Sequence, residues 1–363
     1  MTVRRKLLNF GSRSTDFRIG TGALEELPRY VAAAVAKPRR AVLVTEETLS
    51  QTHGVTVTRA LVDAGFHVDE FAVPAGKRVA TLAQATKLYD FLDRCGITSE
   101  DLIVALGDVQ TCSLAMFCAR TWCGETASII IPTTLDAMVR CPTEMEALDT
   151  SSSSEMVWIA PQVSMVVCDL DLVAGKPIDQ NGLGYVQIVA AQLAESRKFW
   201  EAFADNVPGL VAGESFPLLD SISCAQTSRL NTVKSVSPSS RKALFYGYTT
   251  ARALRMCLGD DIPWYQLLAE GMRFEARVAH EACDFAIDDV FKQDDYLEDL
   301  GIEELTFSLD APTFIEALKR VRYKRANRFM FSLPKNPGTI RLTVVDDELL
   351  ERHATAYLAS RAE

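Results

Sequence analysis

The chain has 363 residues, of which 48% are hydrophobic and 24% charged, and its formal net charge is −10. These values predict a globular protein of two domains, and the negative charge argues against binding to nucleic acid or to an anionic membrane surface. No apolar run reaches the roughly 18 residues of a membrane span, and the basic N-terminus lacks the apolar segment of a signal peptide. The nine scattered cysteines are typical of reduced thiols. We therefore expect a cytoplasmic protein that binds neither nucleic acid nor membrane.

Short hydrophobic strands alternate with amphipathic helices through the first half of the chain. This alternation is typical of a mostly parallel sheet covered by helices. Helices are predicted over 47–64, over about 81–95, and between the third and fourth predicted strands. The predicted strands are 41–45, 66–73, 102–107, 128–132 and 165–173.

Beyond about residue 175 the strand signal fades and long helical periodicities replace it. Two late segments, RFMFSLP and TIRLTVV, alternate as the strands of a small hairpin do. The predicted fold is therefore an α/β Rossmann-like N-terminal domain, residues 1–174, followed by an all-α C-terminal domain, residues 175–363.

The most specific segments are IIIPTTLDAMV (129–139), CDLDLV (168–173) and NGLGYVQIVAA (181–191). They resemble motifs of 3-dehydroquinate synthase and its relatives, the sugar phosphate cyclases. The first matches that family's Val-Pro-Thr-Thr-Leu-x-Ala-x-Val motif, and the third matches the helix that carries its first zinc ligand. The resemblance implies a dehydroquinate synthase-like fold, a homodimer, and a small-molecule ligand in an interdomain cleft.

The residues at the positions of the family's zinc ligands are all aromatic. Tyr185 stands where the family has a metal-binding Glu, and Tyr248 and Trp264 stand at its two metal-binding His positions. An aromatic ring does not replace a carboxylate or an imidazole as a zinc ligand at neutral pH. A relocated site around His280 and Asp284 is an alternative, against which stands the ordinary interpretation of a satisfied core histidine. We predict no metal.

The nucleotide loop is also altered. The family's Gly-Gly-Gly-x-x-Gly-Asp run lets backbone N–H groups approach the pyrophosphate of NAD, whereas residues 107–113 here read Gly-Asp-Val-Gln-Thr-Cys-Ser. Asp108 places a negative charge where phosphate would bind, at a cost of about 4 kcal/mol for two like charges about 4 Å apart. We therefore predict no bound NAD, and no other cofactor.

Most substrate-binding groups implied by the resemblance are replaced as well. Arg241 matches a residue of the family, and Lys324 and Arg325 match a late Lys pair across a shortened loop. The replacements are Arg140 for an Asp, Glu146, Ile188 and Thr227 for Lys, Arg252 for a His, Phe245 for an Asn, and Gly124 for an Arg. These changes make the site more apolar. The predicted aromatic wall of the cleft is Tyr185, Tyr248, Trp264 and Tyr265.

The predicted site residues follow from these positions. The predicted catalytic residues are Tyr185, Tyr248, Arg252, Glu146 and Arg140. The predicted substrate-binding residues are Trp264, Tyr265, Arg241, Asp136 and Glu144. An aromatic wall with a few ions suits a flat or apolar ligand, although the same rings could also fill the space left by the metal and the sugar.

Three functions fit these observations. The first is a repurposed enzyme of specialised metabolism that carries out a cyclisation, an elimination or a pericyclic-type step without metal or NAD. The second is a catalytically inactive homologue that binds and regulates a partner protein. The third is a true cyclase with a relocated metal site. We favour the first, which makes the protein a lyase, cyclase or isomerase rather than a 3-dehydroquinate synthase.

Overall fold

The polypeptide forms two compact units, Met1–Ala174 and Gly175–Glu363. The computed structural model describes residues 3–11, 13–35, 37–235, 241–321 and 329–362. Among these residues, no helix is both long and apolar enough to cross a lipid bilayer.

The first unit is built on a seven-stranded sheet. Its strand order is β1-β2-β7-β6-β5-β3-β4. The β1 and β2 strands pair antiparallel, and the other neighbours pair parallel. The strands are β1 Arg4–Asn9, β2 Ser14–Gly20, β3 Arg40–Glu46, β4 His67–Val73, β5 Leu102–Gly107, β6 Ala127–Pro132 and β7 Met165–Asp169.

Helices connect the parallel strands, as the hydrophobic pattern predicts. A core of apolar side chains, including Leu43, Val104 and Val167, packs between the sheet and the helices that follow β2 and β3. The helices are α1 Leu27–Ala34, α2 Glu47–Leu49, α3 Val55–Asp63, α4 Leu82–Arg94, α5 Val109–Thr121 and α6 Leu135–Arg140.

Two sequence predictions are wrong in detail. The helix predicted over 47–64 is interrupted by a π-helical turn at Ser50–Gly54. The strand predicted over 165–173 ends at Asp169, because that side chain accepts a hydrogen bond from Asp171 N at 3.1 Å and begins a 3-10 turn at Leu170–Leu172.

The second unit is helical, with one small hairpin. Its strands, β8 Phe329–Asn336 and β9 Thr339–Val345, pair antiparallel. Its helices are α7 Ile178–Glu195, α8 Arg197–Ala202, α9 Val207–Val211, α10 Ser215–Lys234, α11 Tyr248–Leu258, α12 Trp264–Cys283, α13 Ile287–Asp299, α14 Ala311–Val321 and α15 Asp347–Arg361. The predicted α/β plus all-α fold class is confirmed.

Two glycines allow α11 and α12 to cross closely. Gly247 precedes α11 with φ of 84°, a left-handed conformation that favours glycine. A Cβ added at Gly271 would lie 2.1 Å from the Gly247 carbonyl oxygen, so only glycine fits at this crossing. The approach places the start of α11, and therefore Tyr248, against the middle of α12.

Candidate functional site

In the loop that follows β5 in the first unit, the side chains of Asp108 and Glu46 accept hydrogen bonds from backbone N–H groups. The Asp108 carboxylate caps α5 by accepting a hydrogen bond from Thr111 N at 2.8 Å. Glu46 Oε1 accepts a hydrogen bond from Asp108 N at 3.2 Å. Burial raises the pKa of Asp108 and, together with the nearby Asp108 charge, that of Glu46. Two carboxyl groups therefore occupy the position at which a helix start would otherwise bind phosphate.

This loop does not fit a dinucleotide. A backbone N–H at the start of α5 is already satisfied by Asp108, and a pyrophosphate would have to displace a carboxylate and approach a second one. At Gly107, a Cβ would lie 2.9 Å from the Thr111 Cβ and 3.1 Å from Glu46 Oε1, so the loop is packed against its own side chains. No step in the chemistry derived below uses NAD.

Four of the predicted site residues form an ionic cluster in the first unit. The Arg140 guanidinium, on the last residue of α6, contacts the carboxylates of Asp136 at 3.3 Å, Glu144 at 3.2 Å and Glu146 at 3.2 Å. Arg78, which the sequence did not single out, also pairs with Glu146. These ion pairs hold the Glu146 carboxylate between two guanidinium groups.

Aromatic and cationic side chains meet at the start of α11 and α12 in the second unit. The Tyr248 ring makes edge contacts with Trp264, at 6.0 Å between centroids, and with Phe245, at 5.7 Å. The Arg252 guanidinium lies 5.6 Å from the centre of the Tyr248 ring, and that of Arg255 lies 5.8 Å from Trp264. Tyr248 is buried, whereas Trp264 and Arg252 are half-buried.

The other two members of the predicted aromatic wall make different contacts. The Tyr185 hydroxyl donates to the Leu210 carbonyl oxygen at 3.0 Å, and the Tyr265 hydroxyl donates to Asp179 Oδ1 at 3.3 Å. The Tyr265 ring packs on Gly182 of α7, where a Cβ would lie 2.7 Å from the ring. Both hydroxyls are thus used to fix helices of the second unit.

A buried polar relay reaches Tyr248, and the sequence interpretation missed it. Arg229 Nη2 on α10 donates to Gln187 Oε1 on α7, and Gln187 Nε2 donates to the Tyr248 oxygen at 2.8 Å. Because a guanidinium only donates, the Gln187 carbonyl oxygen must face Arg229 and its amide nitrogen must face Tyr248. The Tyr248 oxygen therefore accepts the hydrogen bond from Gln187, and this contact does not use its phenolic hydrogen.

A zinc ion does not fit these residues. Burial raises the pKa of Tyr185, which keeps that group a neutral phenol at neutral pH. The Tyr248 oxygen is engaged by Gln187 and Trp264 offers no acceptor. Within the described ranges, no group of three or more His, Cys, Asp or Glu side chains could hold a metal ion.

Of the remaining predicted cations, the structure describes only Arg241. Arg241 is exposed and immediately precedes the 3-10 turn Lys242–Phe245. Lys324 and Arg325 fall outside the described residues. The role of Arg241 in substrate binding stays a prediction.

Comparison with known proteins identifies the scaffold. The family model for the N-terminal region of 3-dehydroquinate synthase matches residues 70–181. The chain is 27% identical over 285 residues to 3-dehydroquinate synthase of Caulobacter vibrioides (strain NA1000 / CB15N), covering 76% of this chain and 77% of that protein. It is 24% identical over 349 residues to the enzyme of Symbiobacterium thermophilum (strain DSM 24528 / JCM 14929 / IAM 14863 / T), covering 93% and 95%.

A solved structure shares the fold over nearly the whole chain. A 2-deoxy-scyllo-inosose synthase, crystallised with carbaglucose-6-phosphate, NAD+ and Co2+, aligns with a TM-score of 0.84 at 18% identity, covering 97% of this chain and 99% of that one. At this identity the likeness shows the fold, a Rossmann-like unit followed by a helical unit. The family-model match and the curated relatives make the chain similar to the 3-dehydroquinate synthases, whereas Tyr185, Tyr248 and Trp264 stand at the positions that the resemblance assigns to the zinc ligands.

Proposed function

We propose that this protein is an enzyme that needs neither metal nor NAD and carries out a non-redox step on an apolar or aromatic small molecule. Tyr248 is the proton donor in this proposal. The step is a cyclisation, an elimination or a pericyclic-type rearrangement, each of which changes no oxidation state overall. A role in specialised metabolism belongs to the proposal, because the groups that the family resemblance implies for 3-dehydroquinate synthesis are replaced.

The observation that carries the proposal is the Arg229–Gln187–Tyr248 relay. Its fixed polarity makes the Tyr248 oxygen an acceptor toward Gln187 at 2.8 Å, so this contact does not use the phenolic hydrogen. A positioned donor of this kind protonates a carbonyl or leaving oxygen of a substrate, and such catalysis contributes roughly 10²- to 10⁴-fold. Arg229 is buried, so its charge acts on the relay with little screening by water.

The surroundings of Tyr248 support an apolar or aromatic ligand. Trp264 and Phe245 contact the Tyr248 ring by their edges, and this arrangement offers ring faces and apolar surface to a flat molecule. Arg252 lies beside the same ring and supplies a cation for one anionic group of the ligand. The 2-deoxy-scyllo-inosose synthase was crystallised with carbaglucose-6-phosphate, whereas Phe245 and Trp264 offer apolar surface beside Tyr248 here.

The test is a screen of aromatic and alicyclic carboxylates with the protein kept in EDTA and without added NAD. Ligands are found by their effect on the melting temperature, and turnover is followed by mass spectrometry. We expect a ligand that is converted under these conditions, and a Tyr248→Phe variant whose kcat is lower by about 10²-fold or more.

The matched control is Tyr296→Phe, which removes another buried hydroxyl of the second unit, one that donates to the Trp200 carbonyl oxygen at 2.8 Å. Conversion that requires a metal or NAD would contradict the proposal, and so would an unchanged kcat in Tyr248→Phe. A lower kcat in Tyr296→Phe would indicate a general effect on stability instead.

One observation favours the alternative of an inactive partner-binding homologue. Met156 and Trp158 are 65% and 51% exposed in the same segment between α6 and β7. Large apolar side chains on a surface loop are common at protein interfaces. Replacing both with Ser should abolish association with a partner under this alternative, and should leave turnover unchanged under the enzyme proposal.

A further inference from the structure

A cavity of about 690 Å³ lies at one end of the sheet in the first unit. It is lined by residues of β1 and β2 and by the segments that precede β6 and β7. Ser14 and Met165, the first residues of β2 and β7, place it at the amino-terminal edge of the parallel strands. The nucleotide loop, residues 107–113, follows the carboxyl end of β5. The cavity is therefore separate from that loop.

Guanidinium groups outnumber carboxylates around this cavity. Arg5 and Arg18 stand directly opposite each other on β1 and β2, and both contact Asp16 at 3.0 Å. Like charges in directly opposite positions destabilise an antiparallel pair unless an anion lies between them.

The same pattern repeats at the other side of the cavity. Arg13 and Arg120 share the carboxylate of Glu125, which Arg120 contacts at 2.9 Å. Glu125 also lines the cavity. Among the residues that line the cavity, Arg5, Arg13 and Arg18 carry three positive charges, and Asp16 and Glu125 carry two negative ones, which leaves one positive charge.

One of the lining cations is shielded from water. The Arg18 side chain is 17% exposed, so its charge is poorly screened. Arg120 pairs with Glu125 but does not itself line the cavity.

We propose that this cavity binds a small phosphomonoester. An anionic phosphoryl group complements the surplus positive charge of the lining, and guanidinium groups bind phosphate oxygens in pairs. The volume suits a small organic molecule, since ligand pockets measure roughly 300–1,000 Å³. The neutral side chains of Gln162 and Ser164 line the same cavity and offer polar partners to the organic part. The site is independent of the chemistry proposed at Tyr248.

The test is isothermal titration of the full chain at low ionic strength with glycerol 3-phosphate, inorganic phosphate and succinate. Glycerol 3-phosphate should bind at one site per chain, and more tightly than either inorganic phosphate or succinate. Arg18→Gln should weaken this binding about tenfold, which corresponds to about 1.4 kcal/mol. Glu125→Gln should strengthen it, because it removes a competing carboxylate.

Arg29→Gln is the matched control, since Arg29 belongs to the same unit, is 83% exposed and pairs with Glu26. If Arg18→Gln does not fold, Arg13→Gln replaces it, because Arg13 is 54% exposed and less important for packing. The proposal is overturned by the absence of saturable binding, by binding that neither arginine variant weakens, or by equal affinity for inorganic phosphate and glycerol 3-phosphate. Tighter binding of succinate would also overturn it and assign the cavity to dicarboxylates.

Discussion

Glu275 is a fully buried carboxyl that holds the start of α11, and so supports Tyr248. It accepts hydrogen bonds from Gly247 N at 2.7 Å, from Thr250 N at 3.1 Å and from the Thr250 hydroxyl at 2.9 Å. Burial raises its pKa to about 8, although these hydrogen bonds act in the opposite direction. The folded protein therefore binds a proton here at pH values at which the unfolded chain has released it.

The stability of the protein should depend on pH through this group. Between the ordinary pKa of 4.5 and about 8, the folded state binds more protons than the unfolded state, so the free energy of unfolding falls as pH rises through this range. Glu275→Gln should remove this contribution and flatten the profile, as measured by urea denaturation between about pH 5 and 8. Glu281→Gln is the control, because Glu281 is exposed and its pKa is lowered by Arg352. An unchanged slope in Glu275→Gln would contradict the assignment.

Glu125 adopts a backbone conformation that is unusual for any residue except glycine. Its φ is 130°, and two neighbouring residues, Cys123 and Gly124, also have positive φ. Such a conformation is unfavourable by roughly 1–3 kcal/mol for a residue with a Cβ. The ion pairs with Arg13 and Arg120 offset part of this cost.

Two substitutions of Glu125 distinguish the cost of the backbone conformation from the contribution of the ion pairs. Glu125→Ala keeps the Cβ and loses the ion pairs, whereas Glu125→Gly loses both the strain and the ion pairs. The free energy of unfolding, obtained from thermal melting, should therefore be higher for Glu125→Gly than for Glu125→Ala by at least about 1 kcal/mol. Equal stability of the two variants would show that the backbone here is not strained.

A Trp264→Ala variant tests whether the aromatic cluster of Tyr248, Trp264 and Phe245 forms a binding surface or only fills the core. Because the ring is half-buried, Trp264→Ala should lower the free energy of unfolding by about 1–2 kcal/mol, less than the 3–5 kcal/mol typical of a core aromatic residue. Trp200→Ala is the comparison, since Trp200 is fully buried. Equal losses for the two variants in denaturant melts would mean that Trp264 fills the core and does not face a ligand.

At the scale of elements, the sequence predicted the strands β3, β4, β5 and β6 well and missed the first two strands. The strand β5 was predicted with its observed bounds, Leu102–Gly107, because all six residues are buried and apolar runs of this length indicate a buried strand. Both β1 and β2 were missed, since charged and polar side chains interrupt the apolar pattern along each of them. The antiparallel hairpin of β8 and β9 was predicted because its strands alternate regularly.

The crossing of α11 and α12 depends on one glycine. Gly271→Ala would place a Cβ about 2.1 Å from the Gly247 carbonyl oxygen, so the helices must separate. We expect a loss of roughly 2 kcal/mol or more in urea denaturation, as overpacking of a tight contact typically produces. An unchanged or higher free energy of unfolding in Gly271→Ala would contradict this account of the crossing.

At the scale of the whole molecule, the sequence identified site residues that lie in altered family motifs. It missed residues that only the packing of separate helices brings together. Asp108 was identified from its place in the loop, and the structure shows its carboxylate capping α5. Arg229 and Gln187 were not identified, because they lie 42 residues apart on different helices and neither belongs to a recognisable motif. Only the packing of α7, α10 and α11 brings them to Tyr248.

The central proposal is that this protein acts without metal and without NAD. The most direct measurement is a calorimetric titration of the purified protein with NAD+ in the presence of Zn2+. We predict no saturable binding up to about 1 mM NAD+, which corresponds to a binding free energy weaker than about −4 kcal/mol. One NAD+ bound per chain with a micromolar Kd would contradict the claim and would show that the loop at Asp108 opens to a dinucleotide.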